Sequence, residues 1–131
     1  MERLTVSSSL KYKEMVRRVI SDLKKVGVVG IFPNLDSGVE KEEVTLEFMR
    51  KLEADHFEAI DSSDGLYVIC PNGYVGTLVS AEIGYATAKG KPVIFSEVPE
   101  DLGLQALATT YVPLEEVGKI IELSVASNPK G

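Results

Sequence analysis

Glu82 is the residue whose type and setting say most about chemistry. On a helix its neighbours one turn away are Leu78, Val79, Tyr85 and Ala86, which puts a carboxylate inside an apolar stripe. Carboxylates rarely occupy such positions without a partner or a task. Lying about one turn from the helix N-terminus, it is expected to be favoured in its ionised form, as a carboxylate nucleophile requires. The plainer account is a dipole-compensating glutamate at the edge of the stripe, and the residues by themselves support both alike.

Two further stretches hold candidate groups. Asp55, His56, Glu58, Asp61 and Asp64 cluster ahead of an apolar run, with Asp61 and Asp64 flanking Ser62-Ser63 as a turn with capping side chains. His56 is the one histidine, suited either to general acid or base work near neutral pH or to a structural role. The loop Asn72-Gly73-Tyr74-Val75-Gly76-Thr77 follows the run and opens a helix, so its free backbone N–H groups suit an anionic ligand. Without a ligand the same loop is a strand-to-helix turn with Thr77 as N-cap. Its glycines do not fit G-x-G-x-x-G, and the lysine of a P-loop is absent. One histidine and one cysteine give no closed zinc site, no metal motif is visible, and no serine sits in a G-x-S-x-G elbow. Cys70, inside LYVIC, reads as a small buried hydrophobe.

Alternating strands and helices position these groups. Leu4 to Val6 reads as a strand, and after Ser7-Ser8-Ser9 the apolar residues Met15, Val16, Val19, Ile20, Leu23 and Val26 mark one face of a helix that ends at Gly27. Val28 to Phe32 is a second strand stopped by Pro33-Asn34, and Asp36-Ser37-Gly38 leads to a second helix with Val44, Phe48, Met49 and Leu52 on one side. Leu66 to Cys70, apolar almost without a break, suits a strand covered on both faces at the centre of a parallel sheet. A helix over Leu78 to Ala88, a strand over Lys91 to Phe95, a short strand over Thr109 to Val112 and a helix carrying Leu114, Val117, Ile120 and Ile121 complete the chain. Such alternation predicts an α/β fold with a doubly wound parallel sheet of four to five strands in three layers. Ligands bind such sheets at the carboxyl ends of the strands, which points to Ser7-Ser8-Ser9, Phe32-Pro33-Asn34, the loop from Pro71 to Thr77 and the stretch after Phe95.

The 131 residues suffice for one domain, expected over residues 1–123 with a flexible tail over 124–131. Fourteen basic against twenty acidic residues give a net charge of −6, which disfavours the basic surface that polymeric DNA or RNA requires. The chain shows no signal peptide and no run approaching the roughly 20 apolar residues of a membrane span, so a cytoplasmic location without membrane partners is expected.

The segment Asp64 to Ile94, about a quarter of the chain, resembles the nucleoside 2-deoxyribosyltransferase-like superfamily, including its deoxynucleoside 5′-monophosphate N-glycosidase branch. The likeness is carried by Asp64 opening an apolar strand, Gly73 and Gly76-Thr77 in the loop, Glu82-Ile83-Gly84-Tyr85-Ala86 on the helix, and Gly90-Lys91-Pro92 after it. It implies a flavodoxin-like sheet and a Glu82 nucleophile that attacks C1′ of the sugar, the base leaving and a covalent glycosyl-enzyme forming. It further implies sugar or phosphate contacts from Ser7, Ser8 and Ser9 and from the loop residues Asn72, Gly73, Gly76 and Thr77, with Asp64 in the same substrate set. Counting back eight residues from Asp64 to the family's base-protonating aspartate arrives at His56, with Asp55 beside it. Gly76 stands six residues before Glu82, where the family carries Asp or Ser. The resemblance implies a small-molecule nucleoside or nucleotide as partner, no metal or organic cofactor, and a homo-oligomer, dimer or higher, in which subunits complete each other's pockets. Two rival expectations are a nucleotide-binding or sensing module without turnover, which Gly76 favours, and an assembly domain in which Glu82 is structural.

Overall fold

Hydrophobic alternation along the first strand decides what lies on each side of the sheet. The computed structural model describes residues 1–35 and 44–126, so Asp36-Ser37-Gly38 and the end of the expected tail lie outside the described residues. The strands are β1 (Arg3–Ser7), β2 (Val29–Ile31), β3 (Gly65–Val68), β4 (Val93–Phe95) and β5 (Thr110–Tyr111). They form one sheet in the order β2-β1-β3-β4-β5 with every pair parallel, which is the flavodoxin-like order of a doubly wound fold. In β1, Leu4 and Val6 point to one face, while Thr5 and Ser7 point to the other.

The Leu4–Val6 face packs on α1 (Lys13–Lys25) and on α5 (Ile120–Ala126), through Val16, Val19, Leu23 and Ile120. Tyr67 and Ile69 belong to this face too, and the Tyr67 hydroxyl donates to the Val112 carbonyl at 2.6 Å, so its one polar atom is satisfied. Gly27 ends α1 with a φ of 81°, as a glycine just past a helix does.

The opposite face packs on α2 (Leu46–Asp61) and α3 (Thr77–Ala88), with Ile60, Leu66, Val68, Cys70, Ile83 and Phe95 forming its apolar cluster. No β1 residue belongs to that cluster. Thr5 instead bonds to the Ser63 hydroxyl at 2.8 Å, and Ser63 donates on to the Ala59 carbonyl at 2.7 Å. A polar seam therefore runs under α2 along β1, ending at Ser7 at the carboxyl edge of the sheet.

Some boundaries differ from expectation. Thr45 caps α2 by accepting from the Phe48 N–H, so that helix starts after Val44. The stretch Leu114–Lys119 is a 3-10 turn with Glu116 out of helical geometry, and α5 runs past Ser124, where a tail is expected to begin. The short α4 (Leu102–Gln105), capped by Asp101, has no counterpart in the sequence expectation because its few residues show no period. Among the described residues no helix is long and apolar enough to cross a membrane.

Candidate active site

At the carboxyl ends of β1 and β3 the polar seam opens into a cavity of about 390 Å³. Glu82, in the second turn of α3, lies in it with only 3% of its surface exposed, and the Ser7 hydroxyl donates to its Oε1. The alternation of β1 makes this contact possible, since Ser7 shares the face that looks toward α3. From α2 come Glu53 and His56, three residues apart on one helical face. One ligating atom from each of Glu53, His56 and Glu82 lies within 4.8 Å of the others.

Burial pushes the Glu82 carboxyl well above the usual carboxylate range; the facing Glu53 carboxyl raises it further, and the Ser7 hydrogen bond opposes both. The expected preference for ionised Glu82 is thus reversed. The helix dipole acts mainly within the first turn, and Glu82 sits beyond it, buried. His56 is buried edge-on against Phe32, 4.9 Å between ring centroids. Its Nδ1 lies 3.1 Å from the Leu52 carbonyl, and it also meets the Val6 backbone, while burial lowers its pKa. By distance alone the trio could surround a cation.

The sequence-predicted residues separate cleanly by place. Ser8, Ser9, His56, Gly76, Thr77 and Glu82 line the cavity, and Ser7 reaches it through Glu82. Asp55 does not line it: its carboxylate accepts from Lys51 at 2.8 Å and Asn34 at 2.9 Å, contacts that hold its pKa below the usual value. Of the pair left open by the sequence, His56 is the one that faces the cavity. Asp64 stands at the amino end of β3, away from the cavity, and accepts from the Glu2 and Arg3 N–H groups, which lowers its pKa. It pins the start of β1. Asn72 and Gly73 are likewise absent from the lining. They form a tight turn with φ of 60° and 77°, and a Cβ on Gly73 would come within 3.0 Å of the Val98 carbonyl, so the turn braces the loop after β4. The N-cap of α3 is Gly76, with Thr77 as the first helical residue, so the expected Thr77 cap is not made.

Glu53 and Lys11 line the cavity without having been anticipated. A signal for Glu53 exists: Met49, Leu52, Glu53, His56 and Ile60 follow the helical period, which extends the apolar stripe across a glutamate. Lys11 holds its ammonium 4.5 Å from the centre of the Tyr74 ring, at the cavity wall.

Neither a family model nor a curated protein matches the sequence. Solved structures do match. A 2-deoxyribosyltransferase from the psychrotolerant bacterium Bacillus psychrosaccharolyticus superposes with a TM-score of 0.70 at 19% identity, over 88% of this chain and 90% of that one. A conserved protein from Enterococcus faecalis V583 gives 0.60 at 19% identity, over 91% and 98%. The Clostridium botulinum CMP N-glycosidase BcmB gives 0.56 at 19% identity, over 93% and 99%. The chain has the nucleoside 2-deoxyribosyltransferase-like fold that the sequence motifs suggested.

Proposed function

We propose that this protein cleaves or transfers the base of a (deoxy)nucleoside or nucleotide, with Glu82 as the nucleophile. The observation that carries the reading is a buried glutamate at the wall of a cavity at the carboxyl edge of the sheet, oriented by Ser7, in a fold shared with a deoxyribosyltransferase and an N-glycosidase. About 390 Å³ lies within the range of small-molecule sites. In this reading one Glu82 oxygen bonds to C1′ as the base departs, and water or a second base then frees the sugar, the two-step course of a retaining glycosidase. Ser8, Ser9, Gly76 and Thr77 contact the sugar or its phosphate. His56 lines the base end and orients it; a neutral imidazole with lowered pKa has little proton to give at neutral pH.

The experiment is chromatographic detection of free base from a panel of deoxynucleosides, ribonucleosides and their 5′-monophosphates, with Glu82→Ala in parallel. Release by the wild type alone is expected. A specific observation favours the second reading, a nucleotide-binding module without turnover: Gly76 supplies no side chain to orient ligand, and burial raises the Glu82 pKa, which disfavours the nucleophilic carboxylate. Ligand-induced thermal shift without base release would select it. Tyr74 and Leu78, exposed at the cavity wall, favour a homo-oligomer that covers the mouth, and a monomer by sedimentation would remove that part.

A further inference from the structure

One buried atom in the cavity has no use in the chemistry above. Glu53 Oε1 is out of solvent and meets no hydrogen-bond donor. Its carboxyl stands beside that of Glu82, with no more than 4.8 Å between their ligating oxygens. An orphaned acceptor in a carboxyl that stands beside the buried Glu82 carboxyl is unfavourable twice over, by lost hydrogen bonding and by repulsion. A single proton between the two groups removes both faults.

We infer that Glu53 is the proton carrier for Glu82: the two carboxyls share one proton before substrate binds, and Glu53 delivers it to the departing base. This rests on the N-glycoside reading. In the first step a Glu82 oxygen bonds to C1′ and the C1′–N bond breaks. Its electron pair goes to the base, which takes the proton from Glu53 and leaves that group a carboxylate. In the second step the oxygen of water, or the nitrogen of an incoming base, bonds to C1′ while the bond to Glu82 breaks and its pair returns to Glu82. Glu53 takes the proton that the incoming group gives up, so the pair again holds one proton. The separation suits two carboxyls working on opposite sides of one glycosidic bond without a water between them.

The surroundings are compatible with this exchange. Ser7 from β1 donates to Glu82 and supports its ionised form once the proton has moved. His56, on the same helix face as Glu53, has its pKa lowered by burial, which outweighs the opposing pull of the Leu52 carbonyl at Nδ1. Lys11, from the turn after β1, lies over Tyr74. Asp55, the neighbouring acid on α2, is engaged by Lys51 and Asn34.

The test compares wild type, Glu53→Gln and Glu53→Asp on two substrate types. Natural deoxynucleotides need their base protonated, whereas 4-nitrophenyl 2-deoxyriboside loses a leaving group that needs no proton. Glu53→Gln is expected to slow natural base release by about 100-fold or more and to leave the first-turnover burst of nitrophenolate near wild type, and Glu53→Asp to recover part of the loss. Equal slowing of base release and of the nitrophenolate burst, or none of either, would overturn the inference while wild-type base release left the N-glycoside reading standing. Carbon NMR of labelled glutamate carboxyls reads the pair independently of turnover. The Glu82 step is expected above the usual carboxylate range in wild type and moves toward it in Glu53→Gln. A Glu82 step at the ordinary value in wild type, or an unmoved one in the variant, would overturn the shared proton even in a protein that released no base.

Discussion

The two faces of the sheet are built from the same strands to opposite ends. Toward α1 and α5, Leu4, Val6, Tyr67, Ile69 and Ile94 meet Val16, Val19, Leu23 and Ile120, and the sole buried hydroxyl among them, that of Tyr67, is bonded. Toward α2 and α3, β1 offers Thr5 and Ser7 instead, and the layer holds two carboxyls and an imidazole. The first face gains from burial in the ordinary way. The second gives up part of that gain to keep groups that would be better solvated in water, a pattern that belongs to functional sites rather than to cores.

That contrast can be broken from either side. Glu82→Gln is expected to lower base release by about 10⁴-fold while making the fold more stable, by about 1–3 kcal/mol at neutral and higher pH. The sign follows from proton linkage. Folded Glu82 keeps its proton above the ordinary value of 4.5 at which the unfolded group loses it, so wild-type stability falls as pH rises from there to the raised folded value. The glutamine variant lacks that slope, which urea melts at a series of pH values would show. Leu23→Ala, on the apolar face and fully buried, is expected to cost about 2–5 kcal/mol in the same melts. Base release per folded molecule should not change. Were release to fall with it, the two faces would not be independent.

Smaller changes sharpen the comparison within the polar face. Ser7→Ala removes the one contact that lowers the Glu82 pKa, so the rising limb of the pH-rate profile should move to higher pH and release at neutral pH should drop about ten-fold. The mildest effect is expected for Lys11→Met. Lys11 is the cation of the cavity lining, and its loss should raise KM for 5′-monophosphates a few-fold relative to nucleosides with kcat unchanged.

The same contrast explains what could be read from the residues. The order of strands and helices was legible because apolar runs such as Leu66 to Cys70 and the Met15–Val26 stripe carry the periods of buried elements. Glu82 was legible for the converse reason, a charge where that period calls for a hydrophobe. Glu53 obeys the same rule, yet it lies among Glu47, Lys51 and Asp55, and a helix rich in charge hides one charge turned inward. Asp64 looked like a site residue through its motif. In a parallel strand, however, the residue before the apolar run marks the amino end, opposite to the ligand edge. The separation of His56 from Asp55 needed coordinates, since adjacent helix residues diverge by about 100° and only packing decides which one turns inward.

The sheet ends in short strands, β2 with three residues and β5 with two. Exposed N–H and C=O rows on a sheet margin are templates for another chain, and a template this brief gives an incoming strand few bonds to form. The fully buried strand β3, whose sequence would be the most hazardous at a margin, is enclosed by β1 and β4. The arrangement guards the protein against fibril growth and strand exchange by geometry, which leaves the polar residues of β1 free for the cavity.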